Sequence, residues 1–162
     1  RKELVAHWPT IRAAWVQIAL MGCLGFTVFN ALMYVAGHST TAINMGIIQG
    51  SIPVMVLAGS VLIFRTRLRL MQVVGVLTTM LGVALTAARG DLSVLSQLAF
   101  ARGDILMIFA CALYAGYTLA LRKRPDLPGL VFFTAMAVVA CVLSAGLFGV
   151  EIALGQHLWP NW

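Results

Sequence analysis

The chain has 162 residues, 61% of them hydrophobic and only 10% charged, with a mean hydropathy of +0.96 and a net charge of +6. A soluble domain carries about 25% charged residues, so this composition excludes one and identifies an integral membrane protein in contact with a lipid bilayer. The positive charge would suit nucleic acid, but the basic residues sit in short loops between apolar runs. They are read as signals of membrane orientation, with no nucleic-acid partner.

Residues 1–12 (RKELVAHWPTIR) are polar and basic. The first expected span runs from Ala13 to Ala36, uncharged, with Asn30 and Tyr34 late in it. Gly37-His38-Ser39-Thr40 reads as a tight turn, after which Thr40 or Thr41 caps the next helix. The second expected span, Thr41 to Phe64, is also uncharged. As a helix its 24 residues extend about 36 Å, enough to cross a hydrocarbon core of about 30 Å with some tilt. Pro53 sits near its middle, beside Gly50, and leaves the carbonyl of Gln49 without a helical donor, so a kink or hinge is expected there. In lipid, such a freed carbonyl is tolerated only against protein or a water-filled cavity. The stretch therefore reads either as the wall of a polar pathway or as a packing kink.

After the run Arg65-Thr66-Arg67-Leu68-Arg69 comes a third expected span, Leu70 to Ala88. Gly75, Thr79, Gly82 and Thr86 form a small-residue stripe on it, suited to close helix packing through Gly75 and Gly82. Residues 89–104 read as a loop on the far side of the membrane, with a short interfacial helix within it. Arg-Gly-Asp occurs at 89–91 and 102–104, but adhesion is a poor reading, because Gly punctuates loops and Asp104 suits an N-cap. The fourth expected span runs from Ile105 to Leu121, with Cys111, Tyr114, Tyr117 and Thr118. Residues 122–129 make a basic turn bounded by prolines, and the fifth expected span covers Leu130 to Leu154.

Alternate loops fall on alternate sides. Arg1, Lys2, Arg12, Arg65, Arg67, Arg69, Arg122, Lys123 and Arg124 lie on one side, against Arg89 and Arg102 on the other. The Lys/Arg excess in short loops marks the cytoplasmic face. It places residues 1–12, 65–69 and 122–129 in the cytoplasm, and it agrees with five spans. The sequence opens at Arg1 without a methionine or signal-peptide pattern and closes on an interfacial-looking HLWPNW (157–162), so it reads as a piece of a longer chain.

The acidic residues Glu3, Asp91, Asp104, Asp126 and Glu151 all fall in loops or at span ends. Deep ionisable groups usually mark relays and catalytic centres, so their absence argues against an enzyme. Cys23, Cys111 and Cys141 lie singly in separate apolar runs and the histidines lie outside them, so neither a disulfide framework, a metal site nor a cofactor is indicated. What remains at depth is neutral: Asn30 and Tyr34 on the first span, Thr41, Asn44 and Ser51 on the second, and Cys111, Tyr114 and Thr118 on the fourth. These faces suit either a path for a neutral or zwitterionic solute or hydrogen bonding between helices. The candidate substrate-binding residues are Asn30, Tyr34, Asn44, Ser51 and Tyr114.

Several runs in order, namely NALMYVA (30–36), TTAIN (40–44), IPV (52–54), GV (75–76), LGV (81–83), GD (103–104) and ALY (112–114), resemble the drug/metabolite transporter superfamily and its EamA-type members. The resemblance implies two inverted five-helix repeats. Residues 1–88 would be the last three helices of a first repeat, 89–104 an extracytoplasmic loop, and 105–162 the first two helices of a second. The acidic residue that the family pattern carries before the arginine after the second span is missing, since Phe64 precedes Arg65 here. The resemblance also implies a secondary permease or exporter of small metabolites such as amino acids, in a bacterial inner membrane, completed by the remaining helices. A rival reading is a non-transporting scaffold or homodimer assembled through the Gly75/Gly82 face. The expected fold is an all-α polytopic bundle.

Overall fold

The computed structural model of the protein describes residues 2–88 and 99–155. The Arg-Gly-Asp at 89–91, most of the expected interfacial helix and the closing segment at 157–162 lie outside the described residues. All regular structure among the described residues is helical. Five segments are long and apolar enough to cross a membrane: Trp15–Gly37, Ala42–Phe64, Leu70–Ala87, Arg102–Lys123 and Gly129–Ala153. They are called the first to fifth spans. The fold is all-α and polytopic, and the protein is an integral membrane protein.

Most span ends agree with the sequence expectation to within two residues. The fourth begins three residues early, because Ala101, with extended backbone, takes the N-cap and the helix starts at Arg102. Asp104 is therefore at the third helical position rather than the cap. Its carboxylate reaches back to accept the Ala101 backbone N–H at 2.8 Å, satisfying a donor that a helix start otherwise leaves open. The polar N-terminal stretch is also more ordered than expected, forming short helices at Lys2–Ala6 and Trp8–Ala13. Pro9 is accommodated in the first turn of the second of these, where a missing N–H costs nothing.

Two spans are internally interrupted. The first passes through a π-helical turn at Cys23–Val28 between α-helical segments Trp15–Gly22 and Phe29–Gly37. The sequence carries no proline or other signal there to announce it. The second breaks at Ser51, between Ala42–Gly50 and Ile52–Phe64. Pro53 stands in the first turn of the latter segment, where the absent N–H is tolerated.

The chain divides into two compact units. One comprises residues 1–27 and 123–162. Here the fifth span packs on Trp15–Gly22. Gly22 lies so close to Met136 that a Cβ would stand 2.8 Å from its carbonyl oxygen. Phe26 and Phe133 meet edge to face at 5.7 Å, and the Gln17 side chain donates to the Lys123 carbonyl at 2.6 Å.

The other unit comprises residues 28–122. The fourth span is its centre, contacting Phe29–Gly37 and both segments of the second span. The third span packs on Ala42–Gly50, with a Cβ on Gly50 falling 2.8 Å from Val83 Cγ1. The core gathers around the fully buried Ala36, Met107 and Cys111, with Phe29, Met33, Met45 and Met55 against it. Large side chains elsewhere on the spans, such as Leu62, Leu70, Met71 and Val142, are exposed, as lipid-facing or partner-facing positions must be in a membrane protein.

Candidate functional site

The polar groups of the 28–122 unit collect at two ends and one middle layer. At one end, the turn after the first span is closed by backbone bonds from His38 to Val35 and from Ser39 to Ala36. Thr41 caps the second span, its hydroxyl accepting the Asn44 N–H at 3.1 Å. These local choices aim Thr40 and Asn44 at the start of the fourth span. The Thr40 hydroxyl donates to Asp104 Oδ1. The Asn44 amide nitrogen donates to Asp104 Oδ2 at 2.9 Å and to the Ala99 carbonyl at 3.1 Å. Asp104 is only 2% exposed and Asn44 7%. Gly103 makes the approach possible: a Cβ there would lie 2.5 Å from the Ala36 carbonyl oxygen and 2.9 Å from Ser39 Oγ.

The sequence places Asp104 at a span end, and so it is; burial of the carboxylate is what the sequence does not show. The turn at 38–40 folds over it. A cavity of about 200 Å³ opens beside this cluster, lined by Asn44, Ile47, Ile48, Ala99, Phe100, Asp104 and Ile108.

In the middle layer, the Tyr114 ring meets Phe29 at 4.8 Å and Tyr117 at 5.5 Å between centroids, tilted against both. The Gln49 amide nitrogen contacts Met33 Sδ at 3.1 Å. The hydroxyls of Ser51 and Thr118 turn back onto their own helix, donating to the carbonyls of Ile48 at 2.6 Å and Tyr114 at 2.9 Å. At the opposite end, the second span stops at Arg65, whose φ of 51° is left-handed. Arg122 sits over the Phe64 ring at 4.8 Å, within cation–π range. The basic termini of the second and fourth spans therefore meet at one end of this unit, and the Asp104 cluster occupies the other.

The five candidate substrate-binding residues are not gathered into one place. Asn44 is in the Asp104 cluster and is the one of the five that lines the cavity beside it. Ser51 bonds its own helix. Tyr114 belongs to the aromatic layer. Tyr34 is exposed and meets His38 edge to face at 5.1 Å, and Asn30 is exposed. Gly50 serves close approach to Val83, whereas a Cβ on Gly75 or Gly82 would meet nothing within 4 Å among the described residues. Gly82 instead lines an open groove of about 570 Å³ with Gly46, Ile43, Thr79, Val83 and Thr86. The threonines Thr79 and Thr86 bond back to Gly75 and Gly82 carbonyls, so the groove presents few free donors. Sequence reasoning missed Thr40, Phe29 and the buried role of Asp104. The Gly-Asp pair before the fourth span was the available signal.

The profile of the EamA-like transporter family matches residues 4–88, more than half of the chain. A relative described as an uncharacterized transporter, YyaM of Bacillus subtilis (strain 168), is 25% identical over 107 residues. That match covers 66% of this chain but 35% of the relative, so the chain spans about a third of the length of the curated protein it matches. No solved structure matches the chain significantly. Five membrane spans define a polytopic membrane protein. The chain belongs to the EamA-like transporter family.

Proposed function

We propose that the chain is part of a secondary permease, an exporter of small neutral or zwitterionic metabolites such as amino acids, in a bacterial inner membrane. The observation that carries this reading is the family match over residues 4–88. The character of the interior supports it: the middle layer offers aromatic, amide and thioether groups, namely Tyr114, Tyr117, Gln49 and Met33, and among the described residues no carboxylate, amine, guanidinium or imidazole. A charged solute finds no counter-charge there, and leaving a charge unpaired in low dielectric is costly.

On this reading residues 1–88 supply the last three helices of one repeat and 105–162 the first two of another, with the remaining helices of the complete protein closing the path. The basic loops face the cytoplasm. Inverted-repeat carriers place substrate near the midplane at broken helices, and the break at Ser51 with Pro53 two residues on is the hinge of this scheme. Tyr114 and Asn30 are the solute contacts of this scheme, while Asn44 is engaged at the Asp104 cluster and Ser51 on its own helix.

A second reading, a membrane module that assembles through helix packing, is favoured by the open groove at Gly46 and Gly82. One set of variants separates the two in the complete protein. Tyr114→Ala and Asn30→Ala should lower solute flux at least several-fold at unchanged membrane abundance, while Gly82→Leu leaves flux intact. Loss of a defined oligomer in Gly82→Leu, with flux indifferent to Tyr114 and Asn30, would overturn the carrier reading.

A further inference from the structure

The Gly103–Asp104 pair joins three separate pieces of chain at one point. Thr40 comes from the turn after the first span, Asn44 from the second span, and the Ala101 N–H from the start of the fourth. All three donate to one carboxylate that is 2% exposed. These donors are neutral. A buried carboxylate is stable only while such donors stay assembled around it, because each lost bond leaves charge in low dielectric. Separation of the pieces would admit water to a group that water solvates well. Closed and open arrangements are therefore each internally consistent, as a two-state element requires.

Directly beneath the cluster lies an apolar layer. Ala36, Met107 and Cys111 are fully buried, and Met33, Met45 and Ile48 pack on them. Cys111 follows Asp104 by seven residues, about 10 Å further along the helix. Methionines suit a seal that must repack, since their side chains are flexible and unbranched. Gly103 presses its backbone onto the Ala36 carbonyl, so the fourth span bears on the first at the level of this seal.

We infer that Asp104, with Thr40 and Asn44, is a latch that holds this end of the helix unit shut over the methionine layer. Asp104 acts as a positioning residue rather than a solute contact. Taken with the proposed transport function, on which this part rests, the latch is the gate at the end away from the basic loops, and it opens in each cycle.

The reporter is already in place. In the complete protein with every other cysteine replaced, Cys111 is exposed to a water-soluble maleimide after purification in detergent, where both ends are open to reagent. Labelling of the parent should be slow. Thr40→Val and Asn44→Leu, which nearly keep side-chain size and each remove one donor to the carboxylate, should speed it about tenfold, as removal of one hydrogen bond to a charged group shifts a local opening equilibrium. Melting temperatures should stay close to the parent's. An unchanged labelling rate in folded variants would overturn the latch. So would a rate that rises only in step with a falling melting temperature, since that marks a purely structural bond. No solute is needed for this measurement, so a failure of the transport reading leaves its outcome intact.

Discussion

A carboxylate held by a hydroxyl, an amide and a backbone N–H depends on how closely its neighbours can approach, and at residue scale Gly103 sets that distance. Gly→Ala in a helix normally stabilises by up to about 1 kcal/mol. At Gly103 the new Cβ would lie 2.5 Å from the Ala36 carbonyl oxygen and 3.0 Å from the Ser39 carbonyl carbon. Those are backbone atoms and cannot swing aside as a side chain would. Gly103→Ala is therefore expected to destabilise the complete protein, by about 1–3 kcal/mol as overpacking does. Gly116, in the same span, meets nothing within 4 Å, and Gly116→Ala is expected to be neutral or stabilising. Thermal unfolding in detergent checks both signs, and equal effects at the two glycines would contradict the packing described. Asp104 shows where reading from residue types stops. A Gly-Asp before an apolar run signals a helix start, but neither its register nor its burial is visible until the turn at 38–40 folds over it. Asn44, likewise, offers the same amide to a solute or to a carboxylate, and only the location of Asp104 in space assigns it.

At the scale of elements, what could be read in advance was whatever rests on apolar length. Five apolar runs, four of them uncharged and the fifth carrying only Glu151 near its end, match five spans, because a bilayer leaves few other structures for such runs. The break in the second span was equally legible, since Pro53 removes a donor at a known place; the helix parts at Ser51, two residues ahead of it. The π-helical turn at Cys23–Val28 was not legible. One extra residue in a turn leaves no composition signal, and it arises from how the span is packed. Pairing of helices was partly hidden for the same reason. The Gly75/Gly82 stripe has the spacing for close packing, but the described residues leave it open, while Gly50, expected as part of a hinge, meets Val83 directly. Gly50→Ala should therefore push the second and third spans apart, because Val83 is β-branched and stiff at χ1. A loss of about 1–3 kcal/mol is expected, and Val83→Ala in the same chain should recover most of it. Additive losses in that double-mutant cycle would show that the two residues are not in contact.

For the whole molecule, sidedness and transport are linked claims. With five alternating spans, the sequence assigns nine basic residues to one expected side and two to the other. In the 28–122 unit the Arg65 terminus and Arg122 do converge at one end, through Phe64, while Asp104 and Thr40 mark the other. Reporter fusions should thus give a cytoplasmic signal after Arg67 and an extracytoplasmic one after Ser39. The reverse pattern would turn the proposed gate to face the cytoplasm. Family membership was legible because its motifs are strung along the chain in order. The solute was not, because Asn30, Tyr34, Ser51 and Tyr114 do not converge among the described residues.

The most direct test of the account is solute counterflow with the complete protein in liposomes, using a panel of amino acids and other neutral, zwitterionic and charged metabolites. The account predicts saturable exchange of at least one neutral or zwitterionic solute, reduced several-fold by Tyr114→Ala, with charged solutes rejected. Correctly inserted protein that exchanges no member of the panel, or that exchanges only charged solutes, would contradict it.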